Sequence, residues 1–227
     1  MVRRNPETPA QLHRDQIEVD RRPIEPAAKI YLLLNKPRGV VTTASDEKGR
    51  ETVYDSLSSA GGDEARWLAP VGRLDKASEG LLLLTNDSEW AARILAPETG
   101  LEKTYHVHIG AVADEGVLAS LRKGLRSEGE FLSVRRADIL RRGERNSWLK
   151  IVLDEGKNRH IRRMLEALGF EVLRLVRVAI GPLALGDLAK GKARSLTRAE
   201  KISLDQAVST ARARVFPSEL ANVGGNL

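Results

Sequence analysis

Leu81-Leu82-Leu83-Leu84 constrains this fold more than any other stretch of the chain. Successive side chains of a strand point to opposite faces, so four leucines in a row need apolar cover on both sides. The run is predicted as a strand inside a sheet buried on both faces. Just upstream, VGRLDKASEG sets Asp75 between two cations at the mouth of that strand. A carboxyl group with an ordinary pKa of about 3.9 is ionised at neutral pH. Holding it beside a buried strand costs desolvation energy unless a cation pairs with it. Arg73 and Lys76 are too near in sequence to do so reliably, because neighbours on an extended chain face opposite ways. A distant arginine is required. On these grounds Asp75 serves equally well as a structural ion-pair residue or as a catalyst.

The remaining elements follow from pattern and punctuation. Residues 1–28 carry Pro6, Pro9, Pro23 and Pro26 among charges and read as a tail or linker, with at most a short strand at Gln16–Val19. Order is expected from Lys29, where KIYLLLNK ends at the turn Pro37-Arg38-Gly39. Residues 42–66 are polar, with a loop at Gly61-Gly62-Asp63. Asp87 or Ser88 caps a short helix that Pro97 stops, and Asp114 caps another that Gly124 closes. Strands are predicted at Lys103–Ile109, about Phe131–Leu140, Trp148–Leu153 and Glu171–Val178. Between Asn158 and Gly169, Ile161, Met164, Leu165 and Leu168 form one helical stripe. A polar helix is predicted from Ser203 to Arg214, with fraying from Asn222. Strands and helices mix without regular βαβ alternation. The fold class is therefore α+β, with a largely antiparallel or mixed sheet.

Several chemistries find no support. With no cysteine among 227 residues, disulfide and thiolate chemistry is excluded. No apolar run approaches the roughly 20 residues needed to span a bilayer, and the N-terminus lacks a secretory h-region. A soluble cytoplasmic protein is expected. Gly186–Lys192 nearly fits a P-loop, but Ala193 stands where a magnesium-binding hydroxyl is needed. His106 and His108 share a strand face without a third ligand nearby, so a wet sheet face suits them better than zinc. No nucleophile elbow supports Ser-His-Asp catalysis.

The positive signals are basic. A net charge of +6 suggests a polyanionic partner, most often nucleic acid, although it also aids solubility. Aromatic residues make up only 4%, too few for a single-strand stacking platform. On the 158–169 helix, Arg159 and Arg163 point away from the apolar stripe, toward solvent or phosphate. Arg162 lies at its edge, from which it can reach a partly buried carboxylate bidentately. A solvated face with snorkelling arginines is the commoner outcome for such a helix.

GRLDKASEGLLLLTND resembles the catalytic-loop motif of the RsuA-type ribosomal RNA pseudouridine synthases. The likeness extends to LLLNKPRGVVTT upstream and to EKTYHV and EGKNRHIRRMLEALGFEVLRLVRVAIGPLAL downstream, four blocks in order over residues 29–198. It implies a central mixed, mostly antiparallel sheet with flanking helices and an active-site cleft. It also implies that Asp75 is the catalytic aspartate, Tyr105 the ring against the target base, and Arg162 the cation that pairs with Asp75. Arg73 matches a position that fills the gap left by an extruded nucleotide. Lys36, Arg38, Lys103, Lys157, Arg159 and Arg163, all within the matching blocks, are the further cations expected to meet RNA.

By the same resemblance the reaction breaks N1–C1′ of a uridine, turns the base, and joins C5 to C1′. It is redox-neutral and needs no metal or other cofactor. An unstacked nucleotide costs a few kcal/mol, which phosphate contacts offset. Asp75 either attacks C1′ or takes a sugar proton.

Many family members begin with an S4 RNA-binding module of about 60 residues. Here only 28 residues precede the core, which suggests the RluE-like branch acting on large-subunit ribosomal RNA. The expected layout is a tail at 1–28, a catalytic domain at 29–202, and a C-terminal helix and frayed tail at 203–227, acting as a monomer away from membranes. The rivals are a catalytically inactive RNA-binding or ribosome-assembly protein of the same fold, and a cofactor-dependent RNA-modifying enzyme such as a methyltransferase. The second needs a glycine-rich cofactor loop that the chain lacks.

Overall fold

A computed structural model describes residues 18–19, 22–23, 28–58 and 68–215, with side chains to residue 210. A hairpin of β1 (Glu18–Val19) and β2 (Arg22–Pro23) precedes the main body. Then come β3 (Tyr31–Lys36), α1 (Val53–Ser58), β4 (Ala69–Val71), β5 (Glu79–Thr85), α2 (Ser88–Leu95) and β6 (Lys103–Ile109). The chain continues through α3 (Glu115–Lys123), β7 (Leu125–Ser127), β8 (Glu130–Leu132), β9 (Arg136–Arg142), β10 (Ser147–Leu153) and α4 (His160–Ala167). It closes with β11 (Val172–Ile180), β12 (Leu183–Ala184), β13 (Ala193–Ser195) and α5 (Arg198–Val215). The rest of the 1–28 tail, the loop at Gly61-Gly62-Asp63 and the chain from Asn222 lie outside the described residues.

Among the described residues, nine strands form one sheet in the order β13-β3-β5-β11-β6-β10-β9, with β4 on β5 and β12 on β11. Every pairing is antiparallel except β5 with β11. The fold is α+β with a mixed, mostly antiparallel sheet, as the sequence led us to expect. All four leucines of β5 have zero exposure. Leu81 and Leu83 pack with Trp90 and Ile94 of α2 and with Leu204 and Val208 of α5. Leu82 and Leu84 pack on the opposite face with Val53 and Leu57 of α1. The other half of the sheet buries its core under α3 and α4, around Val107, Leu149, Ile151, Met164 and Leu165.

The two halves meet where β5 runs parallel to β11 for only two paired positions, Glu79 with Val176 and Gly80 with Arg177. Gly80 has φ +103°, and a Cβ there would lie 2.2 Å from the Arg177 carbonyl oxygen. Any side chain at 80 would push the halves apart.

Three boundaries differ from the sequence expectation. The predicted strand at 131–140 is two strands, because β8 turns back on β7 before β9 joins β10. Helix α5 begins at Arg198 rather than Ser203. Thr197 and Glu200 make a reciprocal capping box, Thr197 N–H to Glu200 Oε2 at 2.8 Å and Glu200 N–H to Thr197 Oγ1 at 3.2 Å. That helix crosses the expected boundary at 202, and its buried Leu204 and Val208 belong to the core formed with β5 and α2. Gly186–Lys192, the near P-loop, joins β12 to β13, and its Lys190 pairs with Glu79 at 2.7 Å. No helix among the described residues is long and apolar enough to cross a membrane.

Candidate active site

The residues between β4 and β5 are held from below. Lys36, the last residue of β3, is wholly buried, and its Nζ donates to the carbonyls of Pro37, Asp75 and Ser78 at 3.0, 3.2 and 3.0 Å. Burial pushes its pKa down to about 8, against the opposing pull of Asp75 and Glu79. Thr42 Oγ1 donates to the Leu74 carbonyl at 2.8 Å, and Gly39 N–H to that of Lys76 at 2.8 Å. Ser78 N–H closes the turn on the Asp75 carbonyl at 2.9 Å. The backbone around Asp75 is thus fixed on several sides, while its side chain lines a cleft of about 570 Å³.

Tyr105 and Lys103 of β6, Arg162 of α4 and Arg177 of β11 line the same cleft, with Leu153, Leu175 and Ile180 as apolar wall. Arg73, Lys157 and Arg159 also line it, as do the acidic Asp154 and Glu155; Arg73 and Arg159 are exposed. Asp75, Tyr105 and Arg162, far apart in sequence, are brought to one site. Alternation along β6 puts His106 and His108 on the other sheet face, where His108 stacks on Trp148 at 4.7 Å.

Three expectations need correction. Arg162 does not grip the Asp75 carboxylate. Arg162 is 8% exposed, and its guanidinium donates to the main-chain carbonyls of Ala77 at 3.0 Å and Val172 at 3.4 Å. Among the described residues no cation lies within 4.0 Å of the Asp75 carboxylate. Burial lowers the Arg162 pKa first and the neighbouring Arg159 charge second, while Asp75 raises it from a distance. Arg162 therefore holds the loop through its backbone and acts on Asp75 through the field.

Lys36 is no RNA contact, because all three of its N–H bonds are spent inside the protein. Arg163 is not solvent-facing either. It is 7% exposed, bonded to Glu130 at 2.8 Å and to the Ser127 carbonyl at 2.6 Å, and paired with Glu128 at 3.2 Å. The hairpin β7–β8 covers the helix side that periodicity alone assigns to water.

Arg38 is exposed, donates to the Leu173 carbonyl at 3.2 Å and lies outside the cleft lining. Lys157 and Arg159 are tied to Glu155 and Glu166, each at 3.1 Å. Sequence reasoning missed Arg177, whose signal is one charge inside the apolar strand LVRVAI. It also missed Glu79, 3% exposed and bonded to both Arg174 and Lys190.

The family profile described as RNA pseudouridylate synthase matches residues 30–167. The chain is 38% identical to the ribosomal large subunit pseudouridine synthase B of Bacillus subtilis (strain 168), over 81% of this chain and 74% of that one. It is 38% identical to an uncharacterized RNA pseudouridine synthase of Aquifex aeolicus (strain VF5), over 91% of this chain and 80% of the relative. Among solved structures, a pseudouridylate synthase crystal structure superposes with a TM-score of 0.70 at 30% identity, covering 88% of this chain and 84% of the other.

Proposed function

The chain belongs to the RNA pseudouridylate synthase family, and we propose that the uridine it isomerises lies in large-subunit ribosomal RNA. The observation that carries this reading is Asp75, a carboxylate on a loop braced from below, facing a cleft that also presents Tyr105 and Arg162. The large-subunit target is supported by the name of the Bacillus subtilis relative.

The residues divide the work. Basic groups at the cleft, Arg73 and Arg159 foremost, meet phosphates and offset the cost of unstacking the nucleotide. The Tyr105 ring offers a flat surface for the base, and its hydroxyl assists removal of the C5 proton. Asp75, rigidly carried, attacks C1′ or takes a sugar proton so that the N1–C1′ bond breaks. The base turns within the cleft and C5 joins C1′. Arg162 holds the loop at Ala77 and places positive charge near Asp75. In this reading the protein acts as a cytoplasmic monomer.

The test is to map pseudouridines in ribosomal RNA from cells with and without this gene. One large-subunit pseudouridine should vanish, and the purified protein should restore it on transcribed RNA. Identical maps, with no activity on the transcript, would remove the ribosomal target.

A further inference from the structure

Arg177 lies in the cleft lining with its side chain nearly enclosed, at 6% exposure. Its Nε donates to the Leu81 carbonyl at 2.7 Å, and its terminal Nη2 is buried with no partner. Among the described residues no carboxylate pairs with it. Lys103 stands close by in the same lining. Burial depresses the Lys103 ammonium pKa and the Arg177 charge depresses it further, with Asp154 alone opposing. A buried guanidinium beside a half-buried ammonium is repelled by it, and an anionic oxygen binding to both reverses that cost.

We propose that Arg177 and Lys103 form an oxyanion subsite in the cleft, which binds a negatively charged oxygen of the unstacked uridine nucleotide. The subsite rests on the synthase reading above and deepens it. Arg177 is the direct strand partner of Tyr105, so it sits beside the surface offered to the base. Leu153, Leu175 and Ile180 line the same cleft, and donors fixed beside such an apolar wall interact more strongly with charge than donors in water. Two oxygens of the nucleotide share this chemistry. One is a non-bridging oxygen of a phosphate flanking the target uridine. The other is a uracil carbonyl oxygen, O2 or O4, over which the bonding pair spreads when it leaves C1′ with N1. That charge is consumed when C5 bonds to C1′; the C5 proton then leaves to a base and N1 takes up a proton.

The test compares wild type, Arg177→Met and Lys103→Met on an RNA oligonucleotide spanning the mapped uridine. The oligonucleotide carries normal phosphates or a methylphosphonate on either side of the target. Single-turnover tritium release from C5, filter-binding affinity and thermal melts are read for each. Because Arg177→Met also loses the bond to Leu81, Lys103→Met keeps the test decisive; it should melt no lower than wild type.

If the ligand is a phosphate, each variant binds about tenfold more weakly, and one methylphosphonate costs wild type the same while costing the variants nothing more. If the ligand is the uracil oxygen, affinity and methylphosphonate response stay at wild-type levels while the single-turnover rate falls about 100-fold. Folded variants with wild-type rate and affinity overturn the subsite. Should wild type release no tritium from any ribosomal RNA, the fault lies with the ribosomal reading. The subsite is then judged by binding of uridine 3′,5′-bisphosphate against uridine: weaker bisphosphate binding by the variants supports it, and unchanged binding overturns it.

Discussion

Lys36 donates from Nζ to the main-chain carbonyl of Asp75 at 3.2 Å, from a position with no solvent exposure. A buried ammonium is costly unless hydrogen-bonded, and here three carbonyls satisfy it. The same three bonds fix the loop that carries the Asp75 carboxylate, so preorganisation of the cleft begins one layer beneath it.

Replacing Lys36 with Met should therefore slow turnover by about tenfold or more while RNA affinity changes little, because the loop loses its brace and not its charge. Steady-state kinetics alongside filter binding reads the difference. An equal loss in both would show that Lys36 reaches RNA.

The pH response of Lys36 has a definite sign. Its folded pKa of about 8 lies below the value of roughly 10.4 in an unfolded chain. Between those limits the unfolded chain binds more protons, so wild-type stability rises with pH relative to Lys36→Met. Turnover should fall over the same range, since a neutral amine has one donor fewer for the loop. Melting curves and rates from pH 7 to 10 test both, and a melting difference independent of pH contradicts the first.

Asp75→Asn should abolish tritium release from RNA labelled at uridine C5, a loss of about 10⁴-fold or more, with RNA affinity nearly intact. The amide keeps the shape of the side chain and cannot act as nucleophile or base. Residual turnover near the wild-type rate would refute its role.

Arg162→Ala removes the donor to the Ala77 carbonyl and the positive field near Asp75. Turnover should drop about 100-fold, with RNA binding within a few-fold of wild type. Arg162→Lys should recover part of the rate by restoring the charge. A matched loss of rate and affinity for both variants would mean that Arg162 only touches phosphate.

Gly80→Ala combines a left-handed backbone, φ +103°, with a Cβ 2.2 Å from the Arg177 carbonyl oxygen. The strain should cost about 3 kcal/mol, read by denaturant unfolding. It should also damage catalysis, because the strand junction sits beneath the cleft. A variant as stable as wild type would mean that β5 and β11 can separate freely.

Much of this protein was legible from its sequence because local periodicity dictates which side of an element a residue occupies. Four adjacent leucines demand cover on both faces, and Leu81–Leu84 receive it from α1 on one side and from α2 and α5 on the other. The 3.6-residue stripe of Ile161, Met164 and Leu165 likewise dictates the buried face of α4. Motif resemblance pointed to Asp75, Tyr105 and Arg162, and all three line one cleft. The Thr197–Glu200 capping box was also local and readable, yet the polar composition around it masked the helix start.

What periodicity cannot supply is the identity of the element that arrives on each side. Arg163 faces away from its own stripe, but the β7–β8 hairpin, whose Glu130 lies 33 residues earlier in the chain, turns that side into an interior ion pair. Lys36 has the composition of an RNA contact, and only the return of the 75–78 turn beneath it makes it a structural donor. Arg162 was predicted to reach a carboxylate; the folded distances give it the adjacent backbone instead. The sequence by itself determined most of the principal strands and helices and, by resemblance, pointed to Asp75. Tertiary structure alone decided which cations stay exposed and which are consumed inside, because a charge's partner is set by long-range packing and not by its neighbours in the chain.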